Sequence, residues 1–241
     1  MGKKIQFKIT IPESLDDITL SQYQKYVKVM SSLDKESDEA AEFANLKALE
    51  IFCGLELKES YKIPLHTFDA VLEQLALVLS QDTPLKKRFW FRGSNGVEVE
   101  YGMHPNLNDM TSGEYFDLDK YINNFDDMHK AMAVLYRPIV KQHKDLYDIE
   151  EYEGSDKYAE YMKYMPASVA IGARLFFYRL GMKLSKAMIA SSLQQMSPQE
   201  LSQVESKFLE QNGVGINQFM HSLEEMSESL MKLPSLTSTS V

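Results

Sequence analysis

The residues able to do chemistry in this 241-residue chain are thirty-five Asp plus Glu, one cysteine and five histidines at His66, His104, His129, His143 and His221. No two histidines stand at the close spacing that a metal site built on one element requires. His129 follows Asp126 and Asp127, a grouping that could hold a divalent ion but lacks a third nitrogen or sulfur ligand, and negative charge is favoured at a helix start for electrostatic reasons. Asp145, Asp148, Glu150, Glu151 and Glu153 could attract calcium, yet they lack the glycine-centred spacing of an EF-hand loop, so a solvated interaction face is the preferred reading. Neither a G-x-G-x-x-G turn nor a phosphate-binding GxxxxGK[ST] loop occurs. Cys53 follows Ile51 and Phe52 with no neighbouring base or cation to activate a thiol, which predicts a core position. The expectation is a protein without catalytic residues, cofactor or metal; a metal-assisted hydrolase using scattered carboxylates is the enzymatic alternative.

Binding chemistry is better represented. The window 145–160 holds seven acidic residues and one lysine, and Tyr147, Tyr152, Tyr158, Tyr161 and Tyr164 run through and past it. Such rings bury area while keeping a polar tip, so these tyrosines form a candidate protein interface. Phe219, Met220 and Met226 on a carboxyl-terminal amphipathic segment extend that candidate, since methionine adapts to irregular apolar surfaces. Lys86, Lys87, Arg88 and Arg92 surround Phe89, Trp90 and Phe91, an arrangement that could contact nucleic acid. A sheet with aromatics inward and cations outward explains the same pattern, and a formal charge of −9 disfavours nonspecific attraction to nucleic acid or anionic membranes. The start MGKKIQFK has no apolar secretory core, and no stretch approaches twenty uncharged apolar residues, so a soluble intracellular chain without membrane insertion is expected.

The elements that must position these residues follow from periodicity. Ile5, Phe7, Ile9 and Ile11 alternate with polar residues and stop at Pro12, predicting a strand. Thr19 with Gln22 predicts a capping box and a helix presenting Tyr23, Tyr26, Met30 and Leu33. The same order returns 92 residues later, with Val97, Val99 and Tyr101, then Thr111 with Glu114, then Tyr115, Leu118, Ile122 and Phe125. A duplicated strand-loop-helix unit is inferred. In the hairpin of Arg88 to Tyr101, a three-residue loop at Ser94, Asn95 and Gly96 would set Phe91 opposite Val99 and Phe89 opposite Tyr101, with Arg92 opposite Glu98 and Trp90 opposite Glu100. Further helices are predicted over 39–52 and 67–79 and, as a short stripe, at Met128, Met132, Leu135 and Ile139 broken by Pro138. The segment 165–190 is helical in character, with Gly172 and its neighbouring alanines permitting close packing and Gly181 a candidate boundary. Beyond it, Ser197 starts one helix and Ile216 to Leu230 forms another.

The expected architecture is therefore α+β and predominantly helical, with a small antiparallel sheet, a duplicated strand-loop-helix unit and a carboxyl-terminal helical subdomain. Its divisions are 1–144 for the strand-helix core with the hairpin, 145–233 for the acidic tyrosine-rich segment and helical subdomain, and 234–241 for a flexible tail.

LDDITLSQYQKY, LNDMTSGEYFDLDKYI, HKAMAVLYRPI and ARLFFYRLG, which span residues 15 to 181, resemble structural or assembly proteins encoded in tailed-phage morphogenesis regions. The resemblance implies a non-catalytic virion or head-tail assembly protein acting through protein contacts, with other phage structural or assembly proteins as partners, or copies of itself as a homo-oligomer. It places the chain in the host cytoplasm during assembly, with the mature virion as a second destination. A transient tail assembly chaperone or a cellular adaptor is the alternative.

Overall fold

A computed structural model of the chain describes residues 9–33, 38–92, 97–144 and 146–193. Thr19 opens α1 (Leu20–Ser32) with the anticipated reciprocal cap: its hydroxyl accepts from the Gln22 amide at 3.2 Å, and Gln22 Oε1 accepts from the Thr19 amide at 2.9 Å. Helices α2 (Asp38–Cys53), α3 (Leu57–Ser60) and α4 (Leu65–Leu79) follow. The break at Pro64 is real, and its carbonyl accepts from the Thr67 and Phe68 amides to start α4 two residues earlier than the periodicity suggested. One apolar cluster joins these helices through Tyr23, Tyr26, Leu49, Phe52, Leu75 and Val78, with the Tyr26 and Phe52 rings 5.0 Å apart. Each such fully buried side chain contributes about 1.5–3 kcal/mol of hydrophobic stabilisation.

Strands β1 (Arg88–Arg92) and β2 (Glu98–Met103) pair in the anticipated antiparallel register, Phe91 with Val99 and Phe89 with Tyr101, while Arg92 meets Glu98 and Trp90 meets Glu100. The loop residues Ser94, Asn95 and Gly96 lie outside the described residues. After β2 come α5 (Ser112–Ile122) and α6 (Met128–Leu135), and α6 passes without a loop into β3 (Tyr136–His143), which pairs with β4 (Leu146–Ile149). The four strands lie in the order β1-β2-β3-β4, all neighbours antiparallel. Among the described residues the fold is thus α+β and predominantly helical, as expected. Helices α7 (Asp156–Met162) and α8 (Ala167–Leu193) complete it.

Several expectations are corrected. Ile139 belongs to β3, not to the stripe of α6: Pro138 ends the helix, and the extended chain it leaves is taken up by pairing with Tyr101 and by the Glu150 amide, which donates to the Pro138 carbonyl at 2.9 Å. Ile9 and Ile11 are not in a strand but pack against the helical cluster, and residues 5 to 8 lie outside the described residues. The capping box recurs 92 residues on, yet Tyr23 is buried while Tyr115 is exposed, so the two helices face different surroundings.

The second cluster lies under the sheet, where Phe89, Tyr101 and Tyr136 meet Met128, Met132, Met162, Val169 and Ala173. Helix α8 serves both clusters, giving Ala167 and Ile171 to one and Val169 and Ala170 to the other. It runs on through Gly181 to Leu193. Gly172 is where the small-residue reading is borne out, because a Cβ there would sit 2.6 Å from the Pro84 carbonyl oxygen. Residues from 194 onward, including the expected helix at Ser197 and Phe219, Met220 and Met226, lie outside the described residues.

Candidate functional site

The tyrosines proposed as an interface divide into two groups. Tyr147, on β4, crosses the sheet above Gly102, where a Cβ would collide with its ring, and its hydroxyl donates to the Met103 carbonyl at 2.8 Å. Burial raises its ionisation above the usual phenol value. Tyr152 lays its ring 5.3 Å from the Arg137 guanidinium and donates to Asp117 at 2.5 Å. Tyr158 donates to Glu150 and stands edge-on to Tyr101. These three are half-buried, each with its hydroxyl bonded within the chain. Tyr161 and Tyr164, on α7 and just beyond it, remain exposed. Sequence reading could not separate the groups, since all five share the same composition and only the strand β4 turns Tyr147 inward.

Beneath Tyr152 is a buried polar node. Thr111 caps α5 through the second capping box, and Glu114 answers it: Glu114 Oε2 accepts from the Thr111 amide at 2.7 Å and from its hydroxyl at 2.8 Å. The other oxygen, Oε1, accepts from Arg137 Nη2 at 2.5 Å, with both side chains 4% exposed. His104, the residue after β2, brings Nε2 to 3.7 Å from that same oxygen. Burial opposes ionisation of Glu114, but the Thr111 amide and hydroxyl and then Arg137 outweigh it and hold the carboxyl below the usual range. Burial, assisted by the Arg137 charge, lowers the His104 imidazole against the pull of Glu114. Arg137 Nε and Nη1 have no hydrogen-bond partner, leaving the Tyr152 ring face as compensation for the cation.

The outer side of the same helical turn is open. Tyr115 and Phe116 are 59% and 67% exposed, their rings in edge contact at 5.9 Å. With Leu107, Met110, Thr111 and Ser112 they line a groove of about 440 Å³. Its far wall is a short turn at Leu107–Asp109, fastened by Asn106, whose side chain accepts from the Asn108 amide and donates to Asp109 at 2.7 Å. Two large adjacent rings thus stand in solvent beside a hollow of mixed polar and apolar lining. The signal was present in the sequence: Phe116 is two positions from Leu118, hence on the opposite side of α5 from the buried Leu118 and Ile122.

The basic cluster is largely committed elsewhere. Lys86 pairs with Asp16 at 2.5 Å and also donates to Ser168, which itself bonds to Asp16, so the group fastens the first turn of α8 to two loops. Arg88 pairs with Glu100 at 2.9 Å and reaches Gln142 at 2.9 Å. Lys87, Arg92 and Trp90 are exposed, while Phe89 and Phe91 are core. His129 is buried on α6, and Asp127 beside it is bound by Lys130 at 2.7 Å and by Asn124. Among the described residues no group of three or more His, Cys, Asp or Glu side chains is placed to hold a metal ion, and no helix is long and apolar enough to cross a membrane. Cys53 is half-buried at the end of α2 rather than in the core, and burial pushes its thiol up to about 11. Comparison with protein-family models, with curated proteins and with solved structures finds no match to this chain.

Proposed function

We propose that this chain is a non-catalytic subunit or assembly factor of a tailed-phage particle, and that it docks a partner protein on the outer face of α5. The observation that carries the docking is the exposed pair Tyr115 and Phe116 over the groove of about 440 Å³. Aromatic residues flanking a pocket are the side chains that dominate binding energy in protein interfaces, because they bury large area at small entropic cost. The phage assignment rests on the resemblance of the four segments between residues 15 and 181. In this reading the Lys86 and Arg88 pairs and the half-buried Tyr147, Tyr152 and Tyr158 brace the scaffold and leave recognition to α5.

The test is native mass measurement on fractionated particles and assembly intermediates, with wild type beside Tyr115→Ala/Phe116→Ala. The wild-type chain is expected in one of those fractions, and the double variant is expected to leave them while melting as wild type does. A chain that stays monomeric and absent from particles and intermediates alike overturns the proposal. Presence in intermediates with loss on maturation selects the transient assembly chaperone over the virion subunit.

A further inference from the structure

Resting on that docking reading, we propose that Glu114, Arg137 and His104 form an acid-released latch that holds the first turn of α5, and with it the Tyr115–Phe116 groove, against the sheet. The geometry points to it because one carboxylate does two jobs. Glu114 Oε2 is spent on its own helix through Thr111, and Oε1 is the oxygen by which the helix start is tied to β3 through Arg137. Arg137 is fixed in turn by the strand, where it stands opposite Gly102, and by the Tyr152 ring. Thr111 and Ser112, one turn from Glu114, line the groove, so slack at the latch is slack in the docking surface.

His104 gives the latch its trigger. Its Nε2 stands 3.7 Å from Oε1, the oxygen that Arg137 occupies. Once protonated, two cations share a single buried carboxylate oxygen. The other groups facing this cluster are Asp109 on the turn before α5, Asp117 on α5, bonded to Tyr152, and Tyr152 itself from the segment after β4. Asp109 and the Asn106 backbone, like Glu114, favour the protonated ring, but burial and the Arg137 charge outweigh them. His104 therefore stays neutral near neutral pH and accepts its proton only below the ordinary imidazole value of 6.5. A folded-state value below the unfolded one means that stability is complete above 6.5 and falls as pH drops through the folded value. Glu114, held below its ordinary 4.5, keeps its charge in that window, so the imidazole proton is what acts.

Amide hydrogen exchange, corrected for intrinsic rates, tests this on the full chain without any partner. Protection over residues 112–122 is expected to fall between about pH 7.5 and about pH 5, while α4 keeps its protection. His104→Asn removes this dependence. His129→Asn, on α6, leaves it in place, although burial lowers that imidazole too. Constant protection of α5, parallel loss in α4, or a pH dependence that survives His104→Asn overturns the latch. Should that variant fail to fold, the His104 ring titration in the wild-type chain decides, and a value at or above 6.5 overturns it. Failure here leaves the docking reading standing, whereas failure of the Tyr115→Ala/Phe116→Ala test leaves the pH dependence of α5 in place and removes its link to docking.

Discussion

Replacing Arg137 by methionine removes the charge while keeping most of the apolar stem, so it isolates the ion pair to Glu114. Both partners are 4% exposed, and stripping one charge from a buried pair typically costs about 3–5 kcal/mol because the other is left uncompensated. Two features of the structure lower that figure. Glu114 keeps its two bonds from Thr111, and the substitution also removes Arg137 Nε and Nη1, which are buried without partners. The expected loss is then about 2–3 kcal/mol, a fall in melting temperature of roughly 5–10 °C for a protein of this size. Urea and thermal unfolding followed by circular dichroism measure it. The companion variant Glu114→Gln leaves the cation without its carboxylate and is expected to lose about 2 kcal/mol or more. Combining the two removes both charges, and the double variant should recover about 1–3 kcal/mol relative to the sum. There is also a signature in pH. The Glu114 carboxyl is held low in the native state, so its stabilisation is present above 4.5 and lost as pH falls through the depressed value; without Arg137 the depression is smaller, and so is that loss. Single costs that add to within about 0.5 kcal/mol would refute the reasoning, because independent sites add in that way.

Two other substitutions or reactions probe the scaffold. Gly172→Ala gains about 0.5–1 kcal/mol of helix propensity but places a Cβ 2.6 Å from the Pro84 carbonyl oxygen and 3.1 Å from that of Thr83. Overpacking against backbone costs about 1–3 kcal/mol, so the urea midpoint should fall, and a stabilised variant would contradict the close approach of α8. Cys53, its thiol pushed up to about 11 by burial, should react with iodoacetamide at about pH 8 roughly 100-fold more slowly than an unhindered thiol. Intact-mass kinetics follow the reaction, and a rate equal to that of free cysteine would show the thiol to be open to solvent.

What the amino-acid order determines by itself is local. The two capping boxes need only residues three apart, and both Thr19 with Gln22 and Thr111 with Glu114 close as their spacing requires. The β1–β2 register needs only alternation across a short turn, since a slip by one residue would carry Phe89 and Phe91 into water and the arginines into the core. What lies across space was left to the tertiary structure. The second oxygen of Glu114 finds a cation 23 residues on, in a strand whose existence the pattern of α6 did not disclose, because Pro138 announces only that a helix must stop. Tyr23 and Tyr115 hold the same place after equivalent caps, yet one is core and the other lines the groove. Periodicity states which side chains share a face; whether that face is covered depends on which distant element closes over it, and that is settled by the summed packing of the whole chain.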